Sequence, residues 1–313
     1  FKRRPIYLIA YAAFMLVFLG YAWTASVLMI MLFRLLHGLS FGIGTVAGTT
    51  IVSYLVPKKR LGEGLGIYGL ANNMSMAVGP MLGLWLHTFV DYQWLFVILS
   101  ALVLLGLLFA TAVPVHETAV KERRRISFTS LMLVPALVPA LALLFAAVPY
   151  GMTTTYITLL ADEYGLRAGA GVFYTTMAIG LGCSRVMGGR WIDRGDITVI
   201  IMLSFSLVFC AYTLLTLVHG IVAFLITALL IGLSFGVVHP AFNTLFVRMA
   251  TPQMRGAATS TYLTAFDMGI GAGILLGGFI ASATGTYHAS FVAGAISVAI
   301  AVTTFYLWKK LRH

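Results

Sequence analysis

Charge is scarce in this chain. Charged residues make up 9% of the 313, and only nine are acidic. A soluble domain carries about a quarter charged residues, so this chain has too few to cover a water-exposed surface. Hydrophobic residues make up 60% instead, which predicts an integral membrane protein. Cysteine is almost as rare. Cys183 and Cys210 both fall inside apolar segments, where buried thiols are expected rather than a disulfide. The sequence has no Walker A lysine motif, which argues against ATP-driven work by this chain alone. It also lacks H-E-x-x-H, C-x-x-C and G-x-S-x-G, and its seven histidines are scattered. No enzyme, cofactor or metal site is expected from such a pattern.

What the chain has is long apolar runs. Ten segments are long enough to cross about 30 Å of hydrocarbon as helices. They fall near 5–23, 26–54, 63–88, 94–113, 131–159, 170–190, 197–218, 220–248, 256–283 and 288–308. The longest polar break is 114–130, with Arg123, Arg124 and Arg125. It predicts three parts: a four-helix unit over 1–113, a loop over 114–130 and a six-helix unit over 131–313. Lys2, Arg3 and Arg4 followed by an apolar stretch imitate a signal peptide, but the further spans argue against cleavage.

The net charge of +11 would suggest a nucleic-acid partner in a soluble protein. Here it is read through the positive-inside rule, and no nucleic acid is expected. Eighteen of the 20 basic residues sort to one side of the ten spans, Arg185 among them. Arg167 falls on the other side, and Arg34 lies within a span. That bias predicts a multi-pass protein of the cytoplasmic membrane with both termini in the cytoplasm. Trp23, Trp85, Tyr92 and Trp94 fall at the opposite interface, which suits amphipathic rings.

The pentapeptide Gly38-Leu39-Ser40-Phe41-Gly42 recurs, letter for letter, at Gly232-Leu233-Ser234-Phe235-Gly236, 194 residues later. Pro57 and Arg60 follow the first copy much as Pro252 and Arg255 follow the second. The copies lie in the second and eighth spans. An offset of six helices is even, so it predicts two units of like orientation rather than an inverted pair of five-helix units. It also places about 60 residues, room for two helices of about 20 residues and a loop, ahead of Phe1.

Further signals are local. Gly189-Arg190-Trp191-Ile192-Asp193-Arg194 closes the sixth span. Asp193 and Arg194 read either as a charge latch at a helix end or as ordinary loop charge. Arg34-Leu35-Leu36-His37-Gly38 puts a cation about 15 Å into its helix at 1.5 Å per residue, with His37 on the same face. A cation at that depth faces a wet cavity or a partner, or is satisfied by backbone carbonyls. Gly79-Pro80-Met81-Leu82-Gly83 bends a helix and permits close packing. Asp267 is the only acid placed inside the hydrocarbon, aligned by the repeat with Asn72. It reads as a proton relay or as a hydrogen-bonded link between helices. Asn72, Asn73, Tyr150, Thr154, Tyr174, His239 and Asn243 fall at similar depth. Pro240 between His239 and Asn243 predicts an opened backbone there, serving as a hinge, a ligand contact or a helix contact.

Two like-oriented six-helix units around a basic loop resemble the major facilitator superfamily over the whole chain, with its first two helices absent. Gly189 to Arg194 is similar to the family's G-x-x-x-D-R loop motif. After Arg194, however, Gly195-Asp196-Ile197 stands where its basic tail would continue. Arg34 to Gly38 resembles the R-x-x-x-G of proton-coupled members. Gly79, Pro80 and Gly83 resemble the antiporter signature, with Ser75 and Leu84 departing from it. The resemblance implies an all-α transporter, monomeric in the bilayer, working by alternating access. Arg34 and Asp267 would set cavity charge and proton coupling. Proton antiport, exporting a small organic solute, is the expected activity. The alternatives are proton-coupled uptake of a sugar, organic anion or metabolite, and a truncated chain that transports nothing.

Overall fold

The computed structural model describes residues 3–24, 26–57, 68, 71, 75, 78–79, 82–114, 132–194, 196–217, 220–251 and 254–312. The described residues form long helices: α1 (Arg3–Ala22), α2 (Val27–Leu55), α3 (Tyr92–Ala112), α4 (Leu137–Glu163), α5 (Gly169–Arg194), α6 (Ile197–Leu217), α7 (Ile221–Met249), α8 (Arg255–Thr284) and α9 (Tyr287–Arg312). All but α5 are both long and apolar enough to cross a membrane. The α5 helix has the length, with 26 residues, but its sequence is diluted by glycines and by Arg185, Arg190, Asp193 and Arg194. Most of the predicted span at 63–88 lies outside the described residues, although 82–87 are helical.

The chain divides into two compact units, residues 1–123 and 124–313. In the first, α1 packs against both α2 and α3. The second unit repeats that arrangement, with α6 against α7 and α9. Val27 and Ile221 begin α2 and α7, Leu55 and Met249 end them, and both pairs are 194 residues apart. The pentapeptide spacing is therefore the spacing of whole helices. Six helices complete the second unit in two groups. The α4 helix packs on α8 and α9, α7 packs on α5 and α6, and contacts of α6 with α9 and of α7 with α8 join the groups.

Small residues set two close crossings of the second unit. A Cβ added at Gly232 would run into the Met177 carbonyl, and one at Gly236 into the Ser184 hydroxyl. Helices α5 and α7 thus meet backbone to backbone. Gly151, Gly269 and Gly273 play the same part between α4 and α8, facing the carbonyls of Ile270, Leu144 and Val148. Close approach of this kind is how membrane helices gain packing without a hydrophobic driving force between them. In the first unit, a Cβ at Gly38 or Gly42 would meet none of the described residues within 4 Å, so among those residues identical letters sit in unlike surroundings.

Polar side chains complete the backbone where helices break or end. Pro149 lies inside α4 and has no N–H to give the Phe145 carbonyl. The Ser297 hydroxyl of α9 donates to that carbonyl at 2.8 Å instead. Asp196 stands at the start of α6, where its Oδ1 accepts the Thr198 N–H at 2.8 Å and the Thr198 hydroxyl at 2.7 Å. These bonds hold the exposed Asp196 carboxyl below the usual carboxylate range. The departure from a basic tail after Arg194 is thus a helix cap. Gly285 ends α8 in the left-handed region (φ +76°), and Glu163, from the end of α4, caps α9. The Glu163 carboxylate accepts the Tyr287 N–H at 2.7 Å, the His288 N–H at 3.2 Å and the Thr286 hydroxyl at 3.0 Å.

Cys183 and Cys210 are free thiols, but both are exposed, not buried as expected. A thiol behaves as a small hydrophobe, so a membrane helix can turn it outward at little cost.

Candidate functional site

In the first unit, Arg34 is exposed on α2. Its Cζ lies 5.6 Å from the centroid of the Tyr21 ring, a cation–π distance. His37 does share that face. Its ring stands 4.7 Å from Phe14, 5.1 Å from Phe18 and 6.0 Å from Tyr21. Its Nδ1 is buried without a hydrogen-bond partner. A Cβ at Gly79 or Gly83 would meet nothing within 4 Å, so the described residues do not show the close packing expected there. Asn72, Asn73 and Pro80 lie outside the described residues. So do the side chains at 186–194, and with them the proposed latch at Gly189, Asp193 and Arg194.

The second unit gathers the rest. Phe235 and His239 stand one turn apart on α7, and Tyr262 and Phe266 one turn apart on α8, so each pair shares a helix face. The Tyr150 ring of α4 lies 4.5 Å from Phe235 and 5.9 Å from Phe266. The His239 ring meets Phe266 edge-on at 4.2 Å. His239 Nδ1 and the Tyr262 hydroxyl are 2.5 Å apart. Tyr150 and His239 were expected at one depth, and the fold brings them together around Phe235 and Phe266. Asn243 is exposed one turn beyond His239.

Tyr174 and Thr154 are engaged in holding helices. The Tyr174 hydroxyl lies 3.3 Å from both the Thr153 and Thr154 carbonyls, tying α5 to α4. The Thr154 hydroxyl donates to the Gly151 carbonyl at 2.9 Å. Thr153 and Tyr212 share a 2.8 Å hydroxyl pair. Both are fully buried, and the sequence reading had singled out neither.

Arg185 was read only as one of the basic residues on the cytoplasmic side and not as a site residue. The α5 helix runs on to Arg194, which leaves Arg185 about 14 Å inside it at 1.5 Å per residue. It is partly exposed, while its Nε is buried with no acceptor among the described residues. Its electrostatic neighbours are Tyr262, Tyr150 and His239. The close approach of Ser184 to Gly236 explains why the next residue reaches the α7 side. Tyr262 was also missed. Its position four residues before Phe266 and five before Asp267 was the available signal.

Asp267 lies on the exposed surface of the second unit. It is mid-helix on α8, 12 residues beyond Arg255. Tyr262 is its electrostatic neighbour, and it makes no ion pair among the described residues. The described ion pair, Arg167 to Asp162 at 3.5 Å, lies at the other end of the unit, in the turn after α4.

A chain of membrane-length helices with a duplicated unit and a polar cluster inside one unit has the architecture of a membrane transporter. The sequence profile of the Major Facilitator Superfamily matches residues 1–274, and the chain belongs to that family. It is 25% identical over 285 residues to the MFS-type transporter YhhS of Escherichia coli (strain K12), covering 91% of this chain and 69% of that protein. It is 24% identical over 298 residues to the MFS-type transporter YtbD of Bacillus subtilis (strain 168), covering 93% and 74%. Among solved structures, a bacterial homolog of the human lysosomal transporter Spinster, inward-facing and unoccupied, matches with a TM-score of 0.71 at 14% identity, covering 99% of this chain and 83% of that one. The nucleoside transporter NupG (D323A mutant) matches with a TM-score of 0.72 at 15% identity, covering 98% and 84%. At such identities the structural matches speak for the fold. The family implies a lipid bilayer around the protein and a small-molecule substrate.

Proposed function

We propose that this chain is a proton-coupled secondary transporter that exports a small organic solute by alternating access. The observation that carries the reading is Asp267, a carboxylate midway along a membrane-length helix with no ion pair among the described residues. Intramembrane acids are costly and are retained where they do chemistry, above all proton relay. Arg34, exposed at mid-helix on α2, supplies the opposite charge in the other unit. The protein sits in the cytoplasmic membrane with both termini inside and functions as a monomer.

The test is solute-driven proton movement in proteoliposomes containing the protein, followed with a trapped pH-sensitive dye. Asp267→Asn is expected to reduce coupled proton flux at least tenfold while leaving the protein folded. Unchanged coupling in that variant removes Asp267 from the mechanism. Arg34 also suits a second reading, uptake of an anionic solute by proton symport. Direction of accumulation under an imposed pH gradient separates the two: export makes the cytoplasmic solute level fall, and symport makes it rise.

A further inference from the structure

The polar cluster of the second unit contains one cation and no described counter-charge. Tyr150 lies 13 residues beyond Leu137, His239 ten before Met249, Arg185 nine before Arg194 and Tyr262 seven beyond Arg255. All four count from helix ends on one side of the unit, so they occupy one layer about 10–20 Å deep at 1.5 Å per residue. The neighbouring Ser184 abuts Gly236, three residues before His239, and Tyr262, Tyr150 and His239 are electrostatic neighbours of the Arg185 guanidinium; no carboxylate pairs with it among the described residues. Asp267, an acid of the same layer, forms no ion pair with it among the described residues. Arg185 Nε is buried and has no acceptor among the described residues.

A membrane-embedded cation is retained where it meets a partner or a wet pathway. A guanidinium is a planar fork of N–H donors that matches an oxyanion in bidentate fashion. In the same layer, the Tyr262 hydroxyl and His239 Nδ1 share one hydrogen bond at 2.5 Å, and His239 is partly exposed. The aromatic wall of Tyr150, Phe235 and Phe266 behind them is almost fully buried, which fixes the rings and lowers the local dielectric.

We infer that Arg185, with the His239–Tyr262 pair beside it, forms an anion-recognition site that takes the carboxylate or equivalent oxyanion of the solute. This rests on the transporter reading above and names its substrate class: a small organic anion rather than a cation or a neutral solute.

The experiment uses the full chain purified in detergent. Thermal unfolding is followed with sodium benzoate, sodium succinate and sodium methylphosphonate, each at matched ionic strength, and with benzamide and succinamide as neutral counterparts. At least one anion is expected to raise Tm in a saturable way at millimolar concentration, and its neutral counterpart to have no effect. Arg185→Gln should weaken the apparent affinity at least tenfold. Arg185→Lys keeps the charge without the fork and should fall between the two. If Arg185→Gln fails to give a cooperative transition, Arg185→Lys must still show at least a threefold loss. The inference is overturned if no anion stabilises the native chain, if the amides act as well as the acids, or if the variants respond as the native chain does. Asp267-dependent transport of a cationic or neutral solute, unaffected by Arg185→Gln, would overturn this site and leave the transporter reading standing. Anion stabilisation lost in Arg185→Gln, in a chain that moves no solute, would do the reverse.

Discussion

Gly232 and Gly38 hold the same place in identical pentapeptides, yet a methyl group at the first would strike the Met177 carbonyl and at the second would meet none of the described residues within 4 Å. Gly232→Ala should therefore destabilise the chain by about 1–3 kcal/mol through overpacking. Gly38→Ala should change it by no more than about 0.5 kcal/mol, or gain slightly from helix propensity. Thermal unfolding of both variants in detergent checks this, and equal losses would mean that the two crossings are alike. The residue scale is where sequence reading reached least far. Glycine letters were legible, but the backbone each one faces belongs to another helix. Arg185 was passed over as a site residue for a related reason. Depth in a helix depends on where the helix ends, and Arg190, Asp193 and Arg194 read as a loop although the helix runs on to Arg194. Asp267 and His239 were visible because a polar side chain in an apolar run is conspicuous. Tyr262 was not, since a tyrosine there looks ordinary.

At the scale of the element, α4 spans 27 residues despite Pro149. The Ser297 hydroxyl stands in for the missing N–H by donating to the Phe145 carbonyl. Ser297→Ala should cost about 1 kcal/mol, the range found for hydroxyl bonds between membrane helices. In a Pro149→Ala background, residue 149 can supply its own N–H, and the same Ser297 substitution should cost less. The double-mutant cycle reads this directly, and additive losses would show that the serine does not serve the proline. Helix existence was legible from hydropathy for the described spans, least clearly for the diluted α5, because about 20 apolar residues satisfy their backbone in lipid in only one way. The ends were less so. The α4 helix starts at Leu137, after a 3₁₀ turn at Val134–Ala136, six residues later than hydropathy placed it. Hydropathy has no sense of where hydrogen bonding begins.

For the whole molecule, the repeat was the most informative feature of the sequence. It survives in the structure as matching helix bounds and matching packing of α1, α2 and α3 with α6, α7 and α9. The charge map adds a prediction that the helices alone do not make. The proposed orientation puts both termini in the cytoplasm, so a fluorescent protein fused after His313 should fluoresce. Alkaline phosphatase inserted in the turn between α4 and α5, beside Arg167, should be active outside the cell. The opposite pattern would invert the assigned orientation. Function was legible as far as the family, because duplication and composition belong to the whole chain. The solute was not, because recognition depends on which few side chains converge, and convergence is a property of packing.

Glu163 ends α4 and spends its carboxylate on the first turn of α9, next to the turn that joins α9 to α8. One acid therefore staples three helix ends. Pulling α4 away from the α8–α9 hairpin at that end would strip α9 of its cap, a cost of about 1 kcal/mol. The fastening is local: it ties the far end of α4 to the start of α9 across more than a hundred residues of chain.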